Sequence, residues 1–225
     1  MTKEIYMVLE NYMLEKMGDS AHDAEHIYRV LYSALDIAST EPDVNVDVLI
    51  AACLLHDVGR EAQFKDSSVC HARAGSGMAY DFLLTEGFSE GFAAHVRDCI
   101  RTHRFRSNDL PQSVEAKILF DSDKLDAAGA VGIARTFLYK GNVQEPIYTR
   151  ATDGAISDGT QSNEPSFFHE YKRKLEGIDS KFFTTRGAQL AQERRKAAVD
   201  YYEALLKEVK DPETAGREIL NKILK

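Results

Sequence analysis

Seven histidines stand in this chain of 225 residues, and several sit beside acids within apolar runs. His22 and His26 lie one helical turn apart in the string SAHDAEHIYRV. His56 and Asp57 close the run VDVLIAACLLHD, and His71, His95 and His103 follow on later segments. Asp121, Asp123 and Asp126 interrupt an otherwise apolar stretch, AKILFDSDKLDAAGAVGIA. Burying an imidazole or a carboxylate in such surroundings is costly unless it is paired or bound to a metal. Two imidazoles and two carboxylates suit a divalent transition ion with open positions, which polarises a phosphoryl oxygen and lowers the pKa of bound water. That chemistry is hydrolysis. Each residue also has a plainer reading: His26 and His56 as satisfied core imidazoles, Asp57 as a helix cap, Asp123 paired with Lys124 or Arg135 on a solvated face.

The elements that would carry these residues are helices. Apolar residues recur at i, i+3 and i+4 over 3–17, and again from Ser20 through Ala38, where Ser20 and Asp23 form a capping box. The segment 46–57 is apolar all round, the mark of a buried helix. Further helices are expected over 71–87, 89–104, 112–139, 167–177 and 186–210, with Pro212 breaking the pattern before a short tail helix in 211–225. Residues 140–166 hold Gly141, Pro146, Gly154, Gly159 and Pro165 with little periodicity, so a long loop is expected there, able to close over a substrate. No strand-like alternation is visible. The expectation is an all-α fold: one domain over 1–210, with its motifs in 20–136 and late helices in 167–210, then the tail.

Composition narrows the functions. Hydrophobic residues at 44% and charged residues at 28% are ordinary for a soluble globular protein. The 28 basic against 36 acidic residues give a net charge of −8, which argues against polymeric nucleic acid as a partner. A small phosphorylated molecule stays open, given a metal ion or a few local cations. Three cysteines without CxxC spacing, and no long apolar run, point to the cytoplasm and away from a membrane.

The order His26…His56-Asp57…Asp123 resembles the HD superfamily of metal-dependent phosphohydrolases. The strings SAHDAEHIYRV, LLHDVGR, HARAG, IRTHRF, DSDKLDAAGAVGIAR, FFHEYKRKL and TTRGAQLAQERR are similar to its small single-domain bacterial branch, over roughly residues 20–210. The resemblance implies an all-helical bundle and metal ligands at His26, His56, Asp57 and an aspartate of DSDKLD. Asp123 is taken because D-K-L matches the family string, with Asp121 as the competing choice. The implied ion is manganese, with iron, cobalt, nickel or zinc as alternatives. In related guanosine tetraphosphate hydrolases a Glu-Asp pair follows the HD dipeptide, whereas Arg60 and Glu61 stand here. Asp57 or Glu61 is therefore the candidate acid–base group, and that substrate is disfavoured.

His71 and His103 match recurrent family histidines and are read as contacts to phosphate or to the ligands, with a second ion as the alternative. His95 is read as a packing or surface residue. Arg29, Arg60, Lys124, Lys174, Arg186 and Arg194 are the candidate cations for phosphate. The implied activity is hydrolysis of a phosphoester or phosphoanhydride in a small phosphorylated metabolite, foremost a nucleotide. A regulatory module that binds metal or nucleotide without turnover is the alternative, and a homodimer is left open.

Overall fold

The computed structural model of the chain describes residues 1–17, 24–104 and 109–224. The expected capping box of Ser20 and Asp23, and His22, lie outside the described residues. Among the described residues the regular elements are helical, and the one β-bridge joins Arg150 to Ile156. The all-α expectation holds. No helix among the described residues is long and apolar enough to cross a membrane. The chain packs as two compact units, one of residues 1–126 and 181–189, the other of residues 127–180 and 190–225.

The first unit is built from α1 (Lys3–Lys16), α2 (Ala24–Ala38), α3 (Val46–Leu55), α4 (Arg60–Lys65), α5 (His71–Thr85), α6 (Glu90–Thr102) and α7 (Val114–Leu125). Seven of the ten residues of α3 are buried, and α1, α2, α5, α6 and α7 all pack against it. Leu49, Leu54 and Leu55 are fully buried, each stabilising the fold by about 1.5–3 kcal/mol before entropy is counted. Asn45 caps the start of α3, accepting a hydrogen bond from the Val48 N–H, and buried Glu115 of α7 accepts another from the Asn45 N–H. The central helix is thereby fixed along its axis as well as around it. Its end is what matters for chemistry, because His56 and Asp57 follow directly.

The single helix expected over 112–139 is two, α7 and α8 (Gly129–Asn142). The chain turns at Asp126, whose N–H reaches the carbonyls of Asp123 and Lys124, and resumes at Gly129 with φ of 67°. A side chain at Gly129 would be strained, and its Cβ would lie 2.8 Å from the Arg194 Cβ. Periodicity runs on across this break because both helices are apolar, and only the backbone interrupts it.

The second unit holds α8, the segment 143–166, α9 (Phe167–Glu170), a π-helical turn (Tyr171–Leu175), a short 3₁₀ turn (Ile178–Ser180) and most of α10 (Thr185–Ile223). Its core is aromatic: Tyr171 stacks on Tyr202 at 4.0 Å, and Phe137 on Phe167 at 4.1 Å. The expected long loop is present but closely bonded. Ile156 is buried, and the Tyr202 hydroxyl donates to the Asp158 carbonyl.

Pro212 does not end the last helix, contrary to expectation. Just past it, Glu213 pairs with both Arg150 and Arg217, while both arginines donate to the Gly154 carbonyl. These contacts tie the helix to the loop where the proline removes a backbone hydrogen bond.

Candidate metal centre

Three helices of the first unit end around one cluster of buried side chains. His56 and His103 are the C-cap residues of α3 and α6, and each ring turns back on its own helix. His56 Nδ1 lies 2.8 Å from the Cys53 carbonyl and His103 Nδ1 2.5 Å from the Ile100 carbonyl, each in the last turn of its own helix. A carbonyl can only accept, so the proton sits on Nδ1 and the lone pair on Nε2. His26 Nδ1 lies 2.7 Å from Asp126 Oδ2, and His71 Nδ1 2.7 Å from Gln63 Oε1. All four imidazoles are thus held in the Nε2-ligating tautomer by a partner on the far side of the ring.

The Nε2 atoms meet around Asp57. Its Oδ2 is 3.6 Å from His26 Nε2 and 3.8 Å from His56 Nε2, while Asp123 Oδ1 lies 3.4 Å and 3.9 Å from the same two nitrogens. The other oxygen, Asp57 Oδ1, is 3.6 Å from His71 Nε2 and 3.8 Å from His103 Nε2. Metal bonds of about 2.1 Å put neighbouring ligand atoms roughly 3.0–3.5 Å apart, so both spacings fit donors that close slightly on an ion. Two groups of three donors, His26–His56–Asp123 and Asp57–His71–His103, each converge within 4.8 Å.

Burial makes the arrangement expensive without a cation. Nε2 of His56, His71 and His103 and both oxygens of Asp57 are buried without a hydrogen bond. Burial pushes the His56 imidazole down to about 4, against the pull of Asp57, and burial with Arg60 pushes His71 down to about 2. Both rings are neutral donors at pH 7. Burial raises the Asp57 and Asp123 carboxyls, but Arg60 and the imidazoles outweigh it for Asp57, as the imidazoles do for Asp123. Both stay ionised. The carboxyl ends of α3, α6 and α7 add partial negative charge at the cluster. This donor set fits a divalent transition ion.

The three aspartates divide their work. Asp123 faces the imidazoles. Asp121 is fully buried elsewhere: its carboxylate accepts from the N–H groups of Phe183 and Thr184 and from the Thr184 hydroxyl, fixing the chain that enters α10. Asp126 holds His26 and is itself held by Arg29, whose Nε lies 2.7 Å and Nη2 3.0 Å away. Arg29, read from the sequence as a phosphate ligand, is placed on this carboxylate.

The remaining candidates are more scattered. Glu61 is exposed and pairs with Lys65 at 2.6 Å, a contact that holds its carboxyl below the usual range. Arg60 lies at the cluster, its Nε 2.9 Å from Asp57 Oδ1. Lys124 reaches the Lys181 carbonyl and lies over the Phe182 ring. Arg186 pairs with Asp36 at 3.0 Å. Lys174 pairs with Glu170 and Arg194 adjoins Gly129, both in the second unit. His95 is half-buried, 3.1 Å from Glu115.

Sequence reasoning missed α4, which carries Arg60 and Gln63 to the cluster. Its signal was Gly59: a Cβ there would lie 2.4 Å from both the Gly75 N and the His71 carbonyl, so only glycine lets the turn after Asp57 touch α5.

The chain matches the HD domain family over residues 23–128. It is 30% identical to a crystallised HD-superfamily hydrolase from Bacillus thuringiensis, over 92% of this chain and 96% of that one, with a TM-score of 0.66. The chain belongs to the HD superfamily. A predicted HD superfamily hydrolase from an uncultured Thermotogales bacterium is also 30% identical, covering 92% of each chain with a TM-score of 0.59. Bacillus subtilis YpgQ, crystallised in complex with ADP, is 26% identical over 92% of this chain and 98% of its own, with a TM-score of 0.71. For this HD protein the matched region contains all six residues of the two donor groups.

Proposed function

We propose that the protein is a divalent-metal-dependent phosphohydrolase acting on a small phosphorylated metabolite, foremost a nucleotide. The observation that carries this reading is the convergence of imidazole Nε2 atoms and ionised carboxylates in one cluster, where Nε2 of His56, His71 and His103 and both oxygens of Asp57 are buried without a hydrogen bond. His26, His56, Asp57 and Asp123 would hold the ion, and manganese suits their mixed nitrogen and oxygen donors. Such an ion, when bound, supplies Lewis-acid polarisation of a phosphoryl oxygen and a more acidic water.

The protein's own groups do the rest. Asp126 and the Cys53 carbonyl orient the rings of His26 and His56, so the ligands are set before the ion arrives. Asp57, with two inward oxygens, would orient the attacking water, and its depressed pKa suits an acceptor of that water's hydrogen bond better than a store for its proton. Glu61, turned to Lys65, is a weaker candidate for that task. Arg60 provides a positive charge at the cluster edge. The ADP complex of YpgQ supports a nucleotide ligand.

The test is a panel of nucleotides incubated with purified protein and Mn²⁺, reading inorganic phosphate and pyrophosphate separately. Release is expected from at least one nucleotide and is expected to vanish in the His56→Ala, Asp57→Ala double variant. Tight nucleotide binding without any release would overturn the enzyme reading in favour of a binding module. Release that survives the double variant would overturn the assigned site.

A further inference from the structure

The two oxygens of Asp57 face two different donor sets, the geometry by which one carboxylate bridges two ions. His26, His56 and Asp123 lie on the Oδ2 side, and His71 and His103 on the Oδ1 side. The Oδ1 side already has a cation. Arg60 Nε is 2.9 Å from Oδ1, nearer than either imidazole of that side, and its N–H is not aligned for a hydrogen bond. The contact is one of charge with charge.

Charge counting runs the same way. Asp57 and Asp123 together neutralise one divalent ion. The second set brings no carboxylate of its own beyond Asp57, and the oxygen it shares is already met by a guanidinium that cannot lose its proton. Arg104, whose Nη1 lies 3.6 Å from Cys70 Sγ, is a further positive charge acting on His71. Arg60 is also fixed in place: Gly59 presses backbone to backbone on Gly75, and the Arg60 N–H donates to the Asp57 carbonyl at 3.0 Å.

We propose that Arg60 takes the electrostatic place of a second divalent ion and so holds this site to one ion per chain. The inference rests on the reading that His26, His56, Asp57 and Asp123 bind the first ion. It makes Arg60 a determinant of metal stoichiometry, and it implies that His71 and His103 keep their Nε2 lone pairs available to accept hydrogen bonds from water.

The test measures metal content apart from turnover. Chelator-treated wild type, Arg60→Gln, Arg60→Met and Arg60→Lys are dialysed against rising Mn²⁺, counted by elemental analysis and examined by electron paramagnetic resonance, with circular dichroism melts to select folded variants. Wild type and Arg60→Lys are expected to saturate at one ion with the signal of isolated Mn²⁺. The Gln and Met variants are expected to take a second ion at least about tenfold more tightly than wild type, with an exchange-coupled signal. Wild type that binds two ions alike overturns the proposal, as do folded Gln and Met variants that stop at one. Wild type that binds none overturns the underlying metal reading, and the proposal falls with it.

Discussion

Replacing Asp126 by asparagine removes a charge from behind the candidate metal cluster while keeping an acceptor for the His26 ring. The native carboxylate receives Arg29 at 2.7 and 3.0 Å and His26 Nδ1 at 2.7 Å, and it is 3% exposed. A carboxylate in this place makes the opposite nitrogen a stronger donor. Losing such an outer partner typically weakens metal binding by about 10–100-fold, or roughly 1.4–2.7 kcal/mol. The metal-free fold also suffers, because Arg29 loses a charged partner. Breaking a fully buried ion pair costs about 3–5 kcal/mol, but the Arg29 side chain is 37% exposed and can hydrate, so about 1–2 kcal/mol is expected here. Asp126→Ala, which removes the acceptor as well, is expected to exceed the asparagine variant in both measures. Calorimetric titration of chelator-treated protein with Mn²⁺ and urea melts without metal read the two effects separately. An asparagine variant that is folded and binds Mn²⁺ within about twofold of wild type would refute the argument that Asp126 tunes His26.

Two further outcomes follow from the same geometry. Asp121→Asn is expected to destabilise the protein by about 1–3 kcal/mol, because one of its two accepting oxygens becomes a buried amide N–H donor among the N–H groups of Phe183 and Thr184, while Mn²⁺ affinity per folded chain stays unchanged; urea melts and dialysis check both. The metal-free protein is expected to lose stability as pH falls from about 6.5 towards 4. Burial lets the folded His56 ring take its second proton only as pH falls to about 4, so the unfolded chain binds more protons over that window, at about 1.4 kcal/mol per pH unit for each such imidazole. Urea midpoints across this range, with and without Mn²⁺, measure the slope; a flat profile without metal would mean the rings are protonated in the native cluster.

The type of fold and the core of the site could be read from residue order. Apolar residues at helical spacing, with no alternation of period two, dictate an all-α chain. A run such as VDVLIAACLL has only one reasonable place, the centre of the bundle. His56 and Asp57 follow that run directly, so their burial could be foreseen, and with it the need for a partner.

The choice among chemically equal neighbours was made only by packing. Asp121 and Asp123 differ by about 200° around α7, so they face opposite ways. Which of them meets the imidazoles depends on how α7 is rotated against α2 and α3. Arg29 and Glu61 have the chemistry to touch phosphate or water, yet nearer partners, Asp126 and Lys65, hold them. The break between α7 and α8 is a backbone event at Asp126 and Gly129 inside an unbroken apolar pattern. His71 and His103 stand 32 residues apart in sequence and meet only because α5 packs along α6. Local sequence sets what a residue can do. Rotation of each helix about its axis, fixed by contacts many residues distant, decides which of those capacities faces the cluster.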